Sequence, residues 1–124
     1  MTHTINWFEI PTSDLDRAAR FYEQMLATSL EREQASGGSL QMAVFPGSET
    51  AVRGALIADP RRKPAADGAI VYLHAPDLDG SLARAESAGG QVVMPKTDIG
   101  EHGFIALLRD TEGNVIGLHR PRMP

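Results

Sequence analysis

The sequence predicts an α+β fold of two tandem β-α-β-β-β modules, and three observations carry that prediction. A strand-to-helix junction occurs twice, as Thr12-Ser13-Asp14-Leu15-Asp16 and as Pro76-Asp77-Leu78-Asp79, with Asp77 lying 63 residues after Asp14 in a chain of 124. A separation of half the chain between two copies of one junction points to duplication. Each junction opens a stretch of helical period, and strand-like stretches follow each helix.

Ile5 to Ile10 is a short apolar strand that leads into the first junction. Ser13 or Asp14 caps the first helix, and Asp16 adds negative charge where the first backbone N–H groups lack partners. Leu15, Ala18, Ala19, Tyr22, Met25 and Leu26 recur at helical spacing as one apolar stripe, opposite Arg17, Arg20, Glu23 and Gln24. Strands follow over Leu30 to Gln34, Leu40 to Phe45 and Val52 to Ile57, separated by a Gly37-Gly38 turn and a Pro46-Gly47-Ser48 loop.

Asp59 to Gly68, rich in Pro, Gly and charge, reads as the linker between modules. A strand over Ile70 to His74 then enters the second junction. Asp77 caps the second helix, Leu78, Leu82, Ala85 and Ala88 form its stripe, and Gly89-Gly90 ends it through tolerance of positive φ. Gln91 to Met94, Phe104 to Leu108 and Val115 to His119 complete the second set of strands. The last two are joined by Asp110-Thr111-Glu112-Gly113-Asn114, a hairpin loop with Gly and Asn for left-handed positions. The expected organisation is one domain: module one over about 1–58, linker 59–68, module two over about 69–120 and a short tail 121–124. Each half alone is too small for a comfortable core, so the two are expected to share one.

Apolar residues are 42% and charged residues 23% of the chain, an ordinary globular balance. The absence of cysteine excludes disulfides, thiolate metal sites and a Cys nucleophile, and fits a reducing compartment. The net charge of −4 and scattered cations leave no electrostatic footprint for nucleic acid, and Arg61-Arg62-Lys63 reads as a solvated part of the linker. The start, Met-Thr-His-Thr, has no basic segment and apolar run of a secretory signal, and no stretch approaches the ~20 apolar residues that span a bilayer. A cytoplasmic protein with no membrane or nucleic-acid partner is expected. No phosphate-cradling Gly loop and no Gly-x-Ser-x-Gly elbow occurs, and Ser13 and Ser81 read as caps.

Ile10-Pro11-Thr12-Ser13-Asp14-Leu15-Asp16-Arg17-Ala18 followed by Phe21-Tyr22 resembles the opening module of the vicinal-oxygen-chelate superfamily, the glyoxalase, bleomycin-resistance and extradiol-dioxygenase proteins. Asp110-Thr111-Glu112-Gly113-Asn114 is similar to the Asp-x-x-Gly-Asn turn before their final strand. The resemblance covers nearly the whole chain. It implies paired modules whose mixed sheet curls around a cleft, and a homodimer in which a partner covers open sheet edges. Metal-dependent members line the cleft with four His or Glu ligands, one each from the first and last strands of each module. The ion they hold chelates two neighbouring substrate oxygens and stabilises an enolate-like charge.

Carried onto this chain, those positions fall on Trp7, a residue near Gly54, Val71 and Gly117, none of which binds a divalent cation through its side chain. No metal and no cofactor is therefore expected. Strand parity then places Glu9, Leu73, Val115 and His119 on the cleft face, with His74 pointing away. Glu9 and His119 are the candidate catalytic pair, Glu9 as a general base and His119 as its orienting or ligand-binding partner. Trp7 is a candidate stacking wall. In the segment Met94 to Phe104, read as a loop over the cleft, Lys96, His102 and Phe104 are candidate ligand-binding residues. Met42 and Phe45 suit either core or pocket wall, and His3 is terminal.

Three functions fit these residues. The leading one is a metal-independent protein that binds a small, largely apolar or aromatic organic molecule, either sequestering it or catalysing a simple proton transfer. The second is a metal-dependent lyase or dioxygenase with a displaced site at Glu9 and His119. The third is a partner-binding module with a vestigial cleft, in which Trp7 is packed over.

Overall fold

A computed structural model of the chain describes residues 4–35, 40–48 and 50–122; the expected Gly37-Gly38 turn and His3 lie outside these. Chain order is β1 (Trp7–Pro11), α1 (Leu15–Leu26), β2 (Glu31–Ala35), β3 (Leu40–Val44), β4 (Arg53–Ala58), β5 (Tyr72–His74), α2 (Leu78–Ser87), β6 (Gln91–Asp98), β7 (Phe104–Arg109) and β8 (Val115–Arg120). The duplicated β-α-β-β-β order is therefore present. Two four-stranded mixed sheets form, with orders β1-β4-β3-β2 and β5-β8-β7-β6. In each, the first strand of the module runs parallel to the last and the remaining pairs are antiparallel.

Both helices start where the junctions place them. Asp14 accepts from the Arg17 N–H at 3.0 Å and Asp77 from the Gly80 N–H at 3.2 Å, so the acids, and not Ser13 or Ser81, are the caps. Each such cap supports its helix by about 1 kcal/mol. Ser81 is instead buried, 3.3 Å from the Arg84 guanidinium. No helix among the described residues is long and apolar enough to cross a membrane.

α1 and α2 pack on one another, and the helix-facing sides of both sheets close over them as one core. Phe21, Tyr22 and Met25 of α1 meet Leu78 and Ala85 of α2, with Ile10 and Leu56 contributed by one sheet and Leu108 and Leu118 by the other. A run of aromatic contacts, Phe8 to Phe45 at 5.5 Å, Phe45 to Tyr22 at 5.7 Å and Tyr22 to Phe21 at 5.1 Å, stiffens the module-one side. Phe45 is thus core. Met42 lies on the opposite side of its sheet, against Val44, Ala55 and Ile57.

Polar bonds tie the modules together at the Asp110–Asn114 turn. Asp110, buried, accepts from the backbone N–H groups of Glu112 and Asn114 through Oδ1, and from the Tyr22 hydroxyl at 2.6 Å and Asn114 Nδ2 at 3.0 Å through Oδ2. Asn114 Nδ2 also donates to the Pro11 carbonyl, and its Oδ1 accepts from the Ala65 N–H. Glu112 Oε1 accepts from the N–H groups of Ser13 and Asp14, each at 2.8 Å, and both its oxygens meet the Arg17 guanidinium. A turn of module two therefore caps the first helix of module one.

Candidate functional site

Each sheet has a second face, turned away from the helices, and strand register decides what it carries. Residues opposite one another on paired strands share a face. In the first sheet one row reads Glu31, Val44, Ala55, Glu9; the next reads Glu33, Met42, Ile57, Pro11; and Trp7 pairs with Arg53. The result is an apolar floor of Val44, Ala55 and Ile57, all buried, with carboxylates at both rims. The row from Glu31 to Glu9 crosses three strand spacings, ~14 Å.

Trp7 stands at the edge of this floor, 42% exposed, and its indole Nε1–H donates to Glu9 Oε2 at 3.2 Å. Trp7 and Glu9 are thus brought together on one face, as parity expects. The Arg53 guanidinium is folded back onto the Phe45 carbonyl, 3.0 Å from Nη2. Gly54 does not belong to this face. It pairs with Phe8, and a Cβ there would come within 2.4 Å of the Phe8 ring on the helix side, so the residues beside Trp7 and Glu9 are Arg53 and Ala55.

The second sheet corrects the expected face of β5. Leu73 and Leu118 are paired and sit in the shared core, with Val71 packed against it, so these residues face the helices. Tyr72 and His74 alternate with them and pair with Gly117 and His119. The outer face of this sheet therefore carries Tyr72, His74, His119, Ile105 and Leu107. His74 shares the face of His119, contrary to the sequence reading. Tyr72, 44% exposed, lies over Gly117, where an added Cβ would meet its ring at 2.2 Å. Its counterpart in module one is Trp7.

His119 Nε2 lies 2.6 Å from the His102 carbonyl oxygen. A carbonyl only accepts, so Nε2 is the donor of this bond. Glu9 and His119 stand on separate sheets that share no strand pairing, and the hydrogen bonds of the described residues do not join them.

The segment from Met94 to Phe104 is mostly strand. β6 runs to Asp98, with register shifts at Val92/Met94 and Met94/Thr97 that absorb Pro95, and only Ile99 to Gly103 is left as a turn. Lys96 is drawn to Asp79 at 3.2 Å, and Phe104 pairs with Arg120 on the helix side of the sheet. Neither joins Trp7. Sequence reasoning missed Tyr72, whose alternation with apolar Val71, Leu73 and Ala75 marks it as outward-facing.

Two concavities of about 580 and about 250 Å³ flank the linker, one lined by Thr12, Asp59, Arg62 and Glu112, the other by Glu9, Lys63, Val71 and Asn114. Asp59 and Glu112, of the first, are engaged. Asp59 is bonded to Arg61 and approached by Arg62, and the Arg61 hydrogen bonds hold its carboxyl below the usual range. Burial alone would raise the Glu112 carboxyl, but the Arg17 guanidinium, the Asp14 and Ser13 N–H groups and the Thr111 hydroxyl outweigh it and bring it down to about 2.

The match to known proteins agrees with the architecture. Residues 4–118 match the model of the Glyoxalase/Bleomycin resistance protein/Dioxygenase superfamily. The chain belongs to that superfamily. It is 29% identical over 119 residues to the glyoxylase-named protein CFP32 of Mycobacterium tuberculosis and of Mycobacterium bovis, covering 93% of this chain and 44% of theirs. The chain thus spans less than half the length of the curated relatives it matches. Among solved structures it is similar to TnmS3, an antibiotic binding protein from Streptomyces sp. CB03234, at 27% identity and a TM-score of 0.65, over 98% of this chain and 97% of that one. A glyoxalase/bleomycin resistance protein from the same Streptomyces strain is 26% identical with a TM-score of 0.65, over 94% of this chain and 100% of that one. A glyoxalase I variant from Zea mays, 17% identical with a TM-score of 0.68 over 92% of this chain and 44% of that one, shares the fold.

The superfamily's metal-dependent members imply a divalent ion, and the residues at the corresponding positions do not fit one. Trp7, Arg53, Tyr72 and Gly117 offer no imidazole or carboxylate, and among the described residues no three His, Cys, Asp or Glu converge.

Proposed function

We propose that this protein binds a small, largely apolar or aromatic organic molecule on the outer face of the first sheet, without the superfamily's metal ion, and sequesters it. The carrying observation is Trp7, an exposed indole on the sheet face whose apolar side chains Val44, Ala55 and Ile57 are packed beneath the surface. An indole held by a hydrogen bond to Glu9 presents a fixed plate on which a flat ligand stacks, and stacking of this kind contributes about 1 kcal/mol beyond burial of area. The resemblance to TnmS3, an antibiotic binding protein, over nearly its whole length supports binding of a small organic molecule. The exposure of Trp7 counts against a vestigial, packed-over cleft.

A second copy of the chain is part of this reading. β1 and β5 are both edge strands, and Ile5, Tyr72 and Val93 are large apolar side chains left open to water. Pairing of copies covers such edges. Sedimentation velocity is expected to give the mass of two chains; a monomer at micromolar concentration contradicts the dimer while leaving ligand binding intact.

The single indole makes the site its own reporter, because Trp7 is the only tryptophan. A panel of flat aromatic compounds is expected to shift its emission saturably for at least one member. Trp7→Leu, read by calorimetry with that member, is expected to weaken binding about tenfold, which is about 1.4 kcal/mol. Equal affinity in Trp7→Leu would move the ligand elsewhere and defeat the proposal.

A further inference from the structure

Phe104 and Lys96 form a centre of their own, on the helix side of the second sheet and away from the Trp7 face. Three cations meet the Phe104 ring: the guanidinium carbons of Arg120 and Arg122 lie 4.4 and 4.7 Å from its centroid, and Lys96 Nζ lies at 5.7 Å. Each is positioned by backbone. Arg120 is the register partner of Phe104 across β7 and β8. Lys96 lies on the irregular stretch of β6 between Met94 and Thr97, where a bulge re-aims side chains.

Arg122 is held by a strap. Its Nε–H donates to the Gly100 carbonyl at 2.8 Å, and the segment that carries it rests directly on Gly103. Gly103 has φ +105, and a Cβ there would come within 2.2 Å of the Arg120 carbonyl oxygen, so no other residue permits this approach.

The charges do not cancel. Lys96 is paired with Asp79 and Arg122 with Asp98, while Arg120 has no salt bridge or side-chain hydrogen bond among the described residues. Three cations thus face two carboxylates, and the unpaired one is a guanidinium whose carbon lies 4.4 Å from the Phe104 centroid and whose N–H groups have no partner among the described residues. A guanidinium seated over a ring face has its charge localised there and its N–H donors still available, and its fork takes an oxyanion through two parallel hydrogen bonds. We infer that Arg120, supported by Phe104, Arg122 and Lys96, forms a binding site for an oxyanion, a phosphate or a carboxylate carried by a small molecule. This site is separate from the proposed organic-ligand face and stands or falls independently of it.

The test is a backbone-amide NMR titration of the full chain at low ionic strength, with inorganic phosphate in one arm and succinate in the other. Saturable shifts are expected at Phe104, Arg120 and Arg122, with a Kd of about 1 mM in at least one arm. The arm that responds tells phosphate from carboxylate. Arg120→Ala is expected to weaken binding about tenfold or more, and Arg120→Lys to fall between, because it keeps the charge and loses the fork. Arg109→Ala, on the other face of the same sheet, is expected to change nothing. Should Arg120→Ala fail to fold, Arg120→Lys carries the comparison with Arg109→Ala. Absence of saturation in both arms, or equal weakening by the Arg120 and Arg109 variants, overturns the site.

Discussion

Asp110→Ala is expected to cost about 4 kcal/mol of folding free energy, a large part of the margin of a small domain. The carboxylate is buried and accepts four hydrogen bonds: the Tyr22 hydroxyl, Asn114 Nδ2 and the Glu112 and Asn114 N–H groups. Removing it strands these donors where water does not replace it, and each stranded donor costs about 1–3 kcal/mol. Burial, followed by the neighbouring Asp110 charge and their hydrogen bond, raises the Tyr22 hydroxyl well above its ordinary value, so it stays a donor throughout the neutral range. Tyr22→Phe removes one donor and leaves the acceptor three partners, so its expected cost is only about 1 kcal/mol. Urea unfolding of both variants measures the contrast. Equal costs would mean that the ring, and not the carboxylate, holds the turn.

The second large effect is a loss of stability in acid that traces to Glu112. Its carboxyl ordinarily titrates near 4.5 and in the folded chain near about 2, with its side chain fully covered. A folded value below the unfolded one means that the stabilisation is complete above about pH 5. It then declines as the pH falls from about 5 towards about 2, where the folded chain also takes up the proton. The span corresponds to about 3 kcal/mol at neutral pH. Asp98, lowered chiefly by its bond to Arg122, acts in the same direction. Glu112→Gln is expected to lose stability at pH 7 and to flatten the acid limb in a series of denaturant midpoints. An unchanged limb would assign the acid sensitivity to other carboxylates.

How much of this was legible in the sequence depends on the range of the interaction. The junctions were legible because a cap and an apolar stripe act within a few residues, and Asp14 and Asp77 perform the role that their position suggests. The face of β1 was legible as well, since alternation put Trp7 and Glu9 together. β5 was not, because a strand of three residues has too little alternation to set its parity, and one residue of error exchanged Leu73 for His74. β4 failed differently: the loop before it has no fixed length, so counting reached Gly54, whose missing Cβ admits the Phe8 ring from the other side. Pro95 and Lys96 read as loop residues, whereas register shifts let β6 run through them. Arg122 falls in the expected tail and Arg120 at its edge, and because their partner Phe104 lies on another strand, no local pattern records that meeting.

Ligand capture through the Trp7 face without a metal ion is tested most directly by one titration. The aromatic compound that shifts Trp7 emission is added to protein dialysed against a chelator, and again after addition of excess Zn²⁺, Ni²⁺ or Mn²⁺. The expected result is the same saturable curve in all cases, with stoichiometric binding intact in the chelator. Binding that vanishes in the chelator and returns with one cation would contradict it and restore the metal-dependent reading at Glu9 and His119.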